Sequence, residues 1–464
     1  MTDNLFIDEV QGHQKRYRKL ISFTHSSTRA ALVMLLAAVA AVVIVNTDAY
    51  GPFEEILHTE LGFFFGEYSA HMSVAHVIND LFMALFFLLV GLEIKYEMTV
   101  GELTNIRQAV LPIMGALGGV AVPIVVYLAF NAGNPETVQG WGVPTATDIA
   151  FALGILALLG KRVPSGVRVF LSTLAVVDDI IAILVIAVFY GHAPSFGWLM
   201  VAAGIMLVLV AMNRMHVYAL VPYLIVGVFL WVCVLLSGVH ATIAGVLLAF
   251  AIPTGSRVNL TSFMDWSGEK VSQAREAYEP EEPVLAQGHY LKTVKSLSRV
   301  ARQVVPPAIR LEHRLHPWVY FVCMPLFALT NAGVRFVDSD PTALFADPVL
   351  FGVMLGLLVG KPVGIVLMSV LTVKCKIARL PQGVTWMHLV GAGILGGVGF
   401  TMAIFVANLA YADALHVAIA KMGILLASLV AGVAGFLFLY VQAKRSRRED
   451  EAAEGGTLGA QPEG

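Results

Sequence analysis

The chain has 464 residues, of which 58% are apolar and 13% are charged, and its formal net charge is −2 at pH 7. An ordinary soluble domain carries about 25% charged residues, so this composition excludes a fold that is solvated on all sides. The near-neutral charge predicts no nucleic acid partner, and three widely spaced cysteines predict neither a disulfide framework nor a zinc site.

Twelve apolar segments are long enough to cross a ~30 Å hydrocarbon core at 1.5 Å per residue. They are predicted at 30–46, 76–93, 109–130, 141–160, 168–190, 197–212, 218–236, 239–252, 315–334, 349–373, 386–409 and 414–441. A mostly polar segment precedes the first of them without a clear small-residue cleavage site, so we expect a membrane span there rather than a cleaved signal peptide. The prediction is an all-α polytopic membrane protein with twelve transmembrane helices.

Basic residues alternate between the two sides of these spans. The amino-terminal segment is basic, the loop 47–75 has five acidic residues and no Lys or Arg, and basic groups return in every second loop. Since cytoplasmic loops accumulate Lys and Arg, both termini are predicted to be cytoplasmic. The predicted organisation is a cytoplasmic segment 1–29, spans one to eight at 30–252, a long cytoplasmic loop 253–314, spans nine to twelve at 315–441, and a disordered cytoplasmic tail 442–464.

The long loop carries an amphipathic pattern. Leu291, Val294, Leu297, Val300 and Val304 recur at helical spacing and are flanked by basic residues. A helix of this kind suits the anionic inner leaflet of a membrane. A solvated helix that packs on its own loop explains the pattern equally well.

Five ionisable residues fall inside the predicted spans, where each costs ~2.5–3.5 kcal/mol to insert. They are Asp80, Asp148, Asp178, Asp179 and Lys361. Asp178 and Asp179 are adjacent at the middle of a span, and two neighbouring carboxylates in a dry site cannot both ionise cheaply without a cation. The pair therefore predicts a site that holds protons or a metal ion. For Asp80, a structural role near the outer interface is equally consistent.

The surrounding residues favour a hard cation. Carboxylates, the hydroxyls of Thr147 and Thr173, and exposed backbone carbonyls suit Na⁺, Li⁺ or hard divalent ions. Gly and Pro residues interrupt spans four and eleven, which is typical of half-helices at membrane depth, although glycine also serves close helix packing. Each interrupted span is the middle member of a three-span group, spans 3–5 and 10–12, and the groups begin on opposite sides. The sequence thus predicts two inverted three-helix repeats.

Seven motifs, in order over about residues 20–440, resemble the NhaA family of bacterial Na⁺/H⁺ antiporters. They lie at 77–95, 144–154, 174–179, 238–245, 311–318, 360–364 and 399–401, and include Pro-Thr-Ala-Thr-Asp, Ala-Val-Val-Asp-Asp and Gly-Lys-Pro. The resemblance implies a transporter, not an enzyme, that exchanges cytoplasmic Na⁺ or Li⁺ for external H⁺ by alternating access. It also implies electrogenic and pH-regulated exchange in the inner membrane, no cofactor besides the transported ions, and a homodimer through residues 47–75 within the lipid bilayer.

The resemblance further implies residue roles. Asp179 is expected to be the principal Na⁺ ligand, with Asp178 beside it and paired with Lys361 when no ion is bound. Thr147 and Asp148 are expected where broken helices four and eleven cross at mid-membrane, with Asp148 and Lys361 offsetting the opposite helix ends. The expected pH-response residues are Asp80, Glu93, Glu97, His240, Glu312, His313 and His316.

The chain departs from the family pattern in two places. Tyr96 follows Lys95 where the family often has Arg, and the 253–314 loop is several times longer than the family pattern suggests. Neither departure touches the predicted ion site, but both fall on segments expected to tune the pH response.

Two other functions are weighed against antiport. A Na⁺-coupled symporter would use similar broken helices, but it needs aromatic or Arg groups for its organic solute, and the core spans have no Arg at depth. An intramembrane aspartyl protease needs two aspartates on separate helices with a water between them, whereas Asp178 and Asp179 are adjacent. Antiport therefore remains the favoured prediction.

Overall fold

The computed structural model describes residues 26–65, 68–191, 194–335, 347–381 and 383–458. The predicted segment 1–29 lies almost wholly outside the described residues. In chain order the helices are α1 (Ser27–Val45), α2 (Tyr50–His58), α3 (Val74–Thr99), α4 (Ile106–Asn131), α5 (Ile149–Leu158), α6 (Ser165–Phe189), α7 (Phe196–Arg214), α8 (Leu220–Leu236), α9 (Thr242–Ala251), α10 (Leu260–Glu276), α11 (Gly288–Val304), α12 (Pro307–Trp318), α13 (Met324–Asn331), α14 (Pro348–Lys374), α15 (Trp386–Gly396), α16 (Phe400–Ala410) and α17 (Ala414–Leu458).

Tighter and wider turns interrupt several of these helices. A 3₁₀ helix, Val138–Thr145, precedes α5, and a π-helical turn, Val319–Cys323, joins α12 to α13. Two more π-helical turns lie inside α3 and α14, at Val77–Phe82 and Gly356–Gly360. Such turns are often found at functional sites. The π-helical turn of α3 contains Asp80, and that of α14 immediately precedes Lys361.

Eight helical segments among the described residues are long and apolar enough to cross a membrane, or nine if the bent pair α15 and α16 counts as one span. Two shorter apolar helices, α8 and α9, fall below the length used for that count. The chain is thus a multi-pass membrane protein. By length and composition alone, the described residues contain eight or nine spans, fewer than the twelve predicted from the sequence.

The structure differs from the sequence analysis in two places. The segment 47–75, predicted as a loop of an all-α protein, holds α2 and an antiparallel hairpin of β1 (Glu60–Phe65) and β2 (Tyr68–Ser73). Aromatic residues are dense in this segment and favour strands. The helix α17 also continues to Leu458, through part of the tail expected to be disordered from 442. Arg, Glu and Ala dominate that part of the tail, and all three are strong helix formers.

The chain folds as two compact units. The larger is drawn from residues 26–86, 97–191 and 317–458, and the smaller from 87–96 and 194–316. In the larger unit, α4 and α14 approach through glycines: a Cβ on Gly118 would collide with the carbonyl oxygen of Gly364, and the converse also holds. This contact positions the helical turn that carries Lys361. Around it, apolar side chains of α4, α5, α6, α14 and α15 form a continuous core.

The smaller unit packs around a second apolar core. Residues of α7, α8 and α9 contribute to it together with Leu88 and Leu92 of α3 and Leu311 of α12. The ammonium of Lys95 donates hydrogen bonds to the carbonyls of Phe250 and Ile252, at 2.7 and 2.5 Å, and so satisfies the end of α9. The long loop forms the helices α10 and α11, which pack against each other, and the amide of Ala308 donates to the carbonyl of Pro253 at 3.2 Å. We refer to this long loop, residues 253–314, as the insertion. Its two ends therefore lie side by side.

Candidate functional site

The fourth predicted span is interrupted in the middle. The 3₁₀ helix ends at Thr145, Ala146 is extended, and α5 begins after Asp148. The carboxylate of Asp148 accepts a hydrogen bond from the amide of Phe151 at 3.0 Å, which makes Asp148 the N-cap of α5. The chain therefore exposes backbone groups at a point where a continuous helix would satisfy them internally.

The eleventh predicted span is interrupted in the same way. α15 ends at Gly396, α16 begins at Phe400, and the two are bent by 46°. A capping box between Thr385 and His388 begins α15. A Cβ on Gly399 would lie 3.1 Å from the carbonyl oxygen of Ala146, so a glycine permits close approach of the two interrupted segments.

Asp148 joins the two interruptions. Its amide donates to the carbonyl of Val398 at 2.7 Å. Its carboxylate accepts from the amide and the hydroxyl of Thr401, at 3.2 and 2.5 Å. Because Thr401 lies in the first turn of α16, one carboxylate receives amides from the amino-terminal ends of both α5 and α16. A negative charge at that point stabilises both helix ends.

Lys361 is paired with Asp178 in a dry environment. The Lys361 ammonium lies 2.9 Å from Asp178 Oδ2, and both side chains are fully buried. The ammonium also donates to the carbonyl of Thr145, the last residue of the 3₁₀ helix. Lys361 thus neutralises one carboxylate and satisfies the carboxyl-terminal end of one interrupted segment.

Thr147 completes the contact between these groups. Its hydroxyl lies 2.5 Å from Asp178 Oδ2 and 3.1 Å from the carbonyl oxygen of Gly396, the last residue of α15. Asp178 Oδ2 is therefore shared by an ammonium and a hydroxyl. Asp178 Oδ1 is buried and accepts no hydrogen bond from any residue that the structure describes. A buried carboxylate oxygen of this kind can accept a proton or a hard cation.

The remaining oxygen donors are placed as follows. Asp179 is 3% exposed and follows Asp178 on α6. Thr173, on the same helix, donates its hydroxyl to the carbonyl of Val169 at 3.0 Å, one turn earlier. The structure thus brings Thr147, Asp178 and Lys361 into direct contact, with Asp148 next along the chain from Thr147 and Asp179 next to Asp178.

The seven predicted pH-response residues are divided between the two compact units. Asp80 and Glu97 belong to the larger unit, where the Glu97 carboxylate accepts from the amide of Glu102 at 2.9 Å. Burial raises the pKa of the Glu312 carboxyl, and the adjacent His313 opposes that shift. The residues in the smaller unit are Glu93, His240, Glu312, His313 and His316.

Sequence reasoning missed two hydroxyl groups at this site. Thr401 belongs to the last of the seven motifs, but the sequence does not predict that its hydroxyl donates to Asp148. Ser428 of α17 accepts from the amide of Phe400 at 3.0 Å and so satisfies the start of α16. A single polar residue in a long apolar span was the available signal, because a buried hydroxyl without a hydrogen bond is costly.

The chain is similar to known antiporters over most of its length. The family model described as Na⁺/H⁺ antiporter 1 matches residues 21–439. The Na⁺/H⁺ antiporter NhaA of Wolinella succinogenes is 42% identical over 431 residues, which cover 93% of this chain and 95% of that protein. The NhaA of Helicobacter pylori strain P12 is 44% identical over 436 residues, covering 92% and 96%. NhaA 1 of Saccharophagus degradans is 41% identical over 432 residues, covering 92% and 93%.

A multi-pass membrane protein with these relatives is a transporter and not an enzyme. The match extends over most of the chain and over nearly the full length of each relative. The chain belongs to the Na⁺/H⁺ antiporter 1 family, whose members here include NhaA antiporters. The family resemblance inferred from the sequence is thereby confirmed.

Proposed function

We propose that the chain exchanges cytoplasmic Na⁺ or Li⁺ for external H⁺ by alternating access, in an electrogenic and pH-regulated cycle that serves sodium and pH homeostasis. One observation carries the proposal. Asp178 is fully buried, its Oδ2 is held by Lys361 and Thr147, and its Oδ1 accepts no hydrogen bond within the described residues. Such a carboxylate has a partner that an incoming cation can replace and an oxygen ready to bind it.

Competition for Asp178 couples the two ions. In the proposed cycle, Na⁺ binds to Asp178 and Asp179, and the Thr147 hydroxyl oxygen lies close enough to contribute. A bound Na⁺ takes over the negative charge that otherwise stabilises the Lys361 ammonium. An unpaired ammonium in a dry site is strongly disfavoured, so Lys361 releases its proton. Protons that return to the site expel the cation by the reverse competition.

The stoichiometry follows from the number of groups that titrate. If two protons exchange for one Na⁺, each cycle moves one net charge, and an inside-negative potential of 100 mV contributes ~2.3 kcal/mol. That potential drives Na⁺ outward. Asp148 is proposed to keep its charge throughout, because it stabilises two helix ends rather than the transported ion.

Inverted repeats give the proposal its route for alternating access. We propose that α4 to α6 and α14 to α17 are the two repeats, with the interrupted spans as their middle members. The twelve-span count is reached by adding α8, α9 and the segment 319–331 to the nine segments counted above. Short helices on either side of the interruptions then open the site to one side at a time.

The expected surroundings also remain proposals. With basic loops inside, both termini face the cytoplasm of a bacterium and the protein lies in its inner membrane. The hairpin of β1 and β2 is proposed as the homodimer contact within residues 47–75, since strand edges offer unpaired backbone groups to a second copy. Asp80, Glu93, Glu97, His240, Glu312, His313 and His316 are proposed to shape the pH response.

Proton movement in inverted membrane vesicles tests this function. Respiration acidifies the vesicles, and addition of Na⁺, Li⁺ or K⁺ should then release the quenching of a pH-sensitive dye. Dequenching by Na⁺ and Li⁺ but not K⁺, strongest over part of the range from about pH 6 to 9, supports the proposal. Equal responses to all three ions, or a response unchanged in vesicles without the protein, would contradict it.

A further inference from the structure

A basic cleft lies within the smaller unit, and none of its lining residues belongs to the proposed ion site. Its volume is about 580 Å³, within the range of small-ligand pockets. Its lining includes Arg257, Lys295, Ser298, Arg299, Arg302 and Arg310, and no carboxylate residue is among the described residues that line it. We refer to this site as the basic cleft.

The cations reach the basic cleft from separate parts of the chain. Lys295, Arg299 and Arg302 are spaced i, i+4 and i+7 on α11, which places them on one helix face. Arg257 follows α9, and Arg310 belongs to α12. The fold, and not a continuous basic run in the sequence, brings Arg257 and Arg310 to the same cleft as the basic residues of α11.

Arg310 is the most restrained of these groups. Its guanidinium donates to the carbonyl of Tyr218 at 3.0 Å, which holds it against the turn before α8. Its Nε is buried and has no hydrogen-bond partner among the described residues. A buried N–H without a partner is costly, and a ligand oxygen would satisfy it.

The charges of the basic cleft are not compensated by the protein. None of its five cations forms an ion pair with another residue in the described part of the chain. The same insertion contains seven acidic residues, so carboxylates are nearby in sequence and are nevertheless not used. Five like charges around one cleft repel one another, and an anionic ligand removes that repulsion.

We propose that the basic cleft binds a phosphate-bearing anion. Guanidinium groups match phosphate oxygens in pairs, while a lysine adds a compact charge. The positive-inside pattern predicts that the insertion faces the cytoplasm, where the phosphate belongs either to an anionic phospholipid headgroup or to a soluble phosphorylated anion. Both sources present the same chemistry to the cleft, and they can be distinguished by experiment.

The test uses the full-length protein in a neutral detergent and measures heats of binding. The probes are inorganic pyrophosphate, dioctanoyl phosphatidylglycerol, and dioctanoyl phosphatidylcholine as the zwitterionic lipid control with no net charge. The cleft variant carries K295Q, R299Q and R302Q. The matched control carries K270Q, R275Q and K292Q, which remove three positive charges from the same insertion outside the cleft lining.

We expect pyrophosphate or phosphatidylglycerol to bind, and the cleft variant to weaken that binding by at least about tenfold because charge-assisted hydrogen bonds are lost. The control variant should bind these probes like the unmodified protein, and phosphatidylcholine should not bind. Pyrophosphate binding alone identifies a soluble anion, and selective phosphatidylglycerol binding identifies the headgroup. Absence of binding by both probes, or equal weakening in the two variants, overturns the proposal.

Discussion

The helix interruptions and the basic cleft treat charge in opposite ways. At the interruptions, Lys361 pairs with Asp178, and Asp148 receives the hydroxyl and amide of Thr401, so these buried charges have partners within the chain. In the basic cleft, five cations, four of them exposed, lie together without a carboxylate in the described lining. The difference reflects solvation, because a charge in a dry site must be compensated by the protein, whereas a wet site can leave compensation to a ligand.

This contrast has a functional consequence. A site whose charges are paired within the protein is suited to ion exchange, because a cation that binds Asp178 must replace its existing partner, Lys361. The cations of the basic cleft have no ion-pair partner among the described residues for a ligand to displace, so the cleft is suited to simple binding. Substitutions at the interruptions should therefore change both exchange and folding, whereas substitutions in the cleft should change binding alone.

The largest effect is expected for Asp178→Asn. The amide keeps the volume but removes the charge, so Na⁺-driven proton movement in inverted vesicles should fall to background. Lys361 also loses its partner, and unfolding in detergent should show a loss of about 3–5 kcal/mol, as for other broken buried pairs. The double variant Asp178→Asn with Lys361→Met should recover much of the stability but no exchange.

Asp179→Asn separates the two consequences. It should also abolish exchange, because a proposed cation ligand is lost. Membrane insertion should stay intact, and the stabilising ion pair between Asp178 and Lys361 is kept. Near-normal exchange in this variant would refute the assignment of Asp179. Together with the double variant, it distinguishes loss of transport from loss of folding.

Substitutions of Lys361 test whether its ammonium releases a proton during the exchange cycle. Lys361→Gln should impair exchange and lower thermal stability, since Asp178 then lacks its ion pair. Lys361→Arg keeps a positive charge that does not release its proton at physiological pH. We expect this variant to exchange with an altered pH profile and a weaker response to an imposed membrane potential. An unchanged profile and stoichiometry would assign Lys361 a purely structural role.

Thr401→Val tests the contact that joins the interruptions. Loss of the hydroxyl leaves the buried Asp148 carboxylate with fewer donors, which should cost about 1–3 kcal/mol of stability in denaturant unfolding. Thr372→Val is the matched control, because within the described part of the chain the Thr372 hydroxyl bonds only the carbonyl of Met368, one turn earlier. Equal losses in the two variants would show that the contact with Asp148 has no special weight.

The sequence predicts the buried charges and, through the family resemblance, the pairing of Asp178 with Lys361, but not the partners of Asp148. Asp178, Asp179 and Lys361 stand out because each is costly within an apolar span, and Gly and Pro residues mark the interruption before Asp148. The contact between Asp148 and Thr401 joins residues 253 positions apart, and no local pattern encodes such a pairing. Buried charged residues are thus predictable from their local cost, whereas their contacts depend on tertiary packing.

The same reasoning applies to the fold. Long apolar helices such as α6 were evident, because their length and composition alone suit a bilayer. A half-buried network in the larger unit was not evident: Asn331 donates to Asn79 at 2.7 Å and accepts from Asn408 at 2.8 Å. Single asparagines on three distant segments carry no local signal, although once together they satisfy one another.

The smallest effect on exchange is expected when the insertion is removed. Deletion of 257–305 joins Ser256 to Pro306, and the hydrogen bond between Ala308 and Pro253 shows that the flanking chain is already close enough to be connected. A shorter connection between adjacent ends costs little, so exchange should stay within about twofold of the full-length rate. Because the deletion removes four of the five cations of the basic cleft, anion binding should be lost. A displaced pH profile would assign the insertion a regulatory role, and failure to fold would show that the smaller unit depends on α10 and α11.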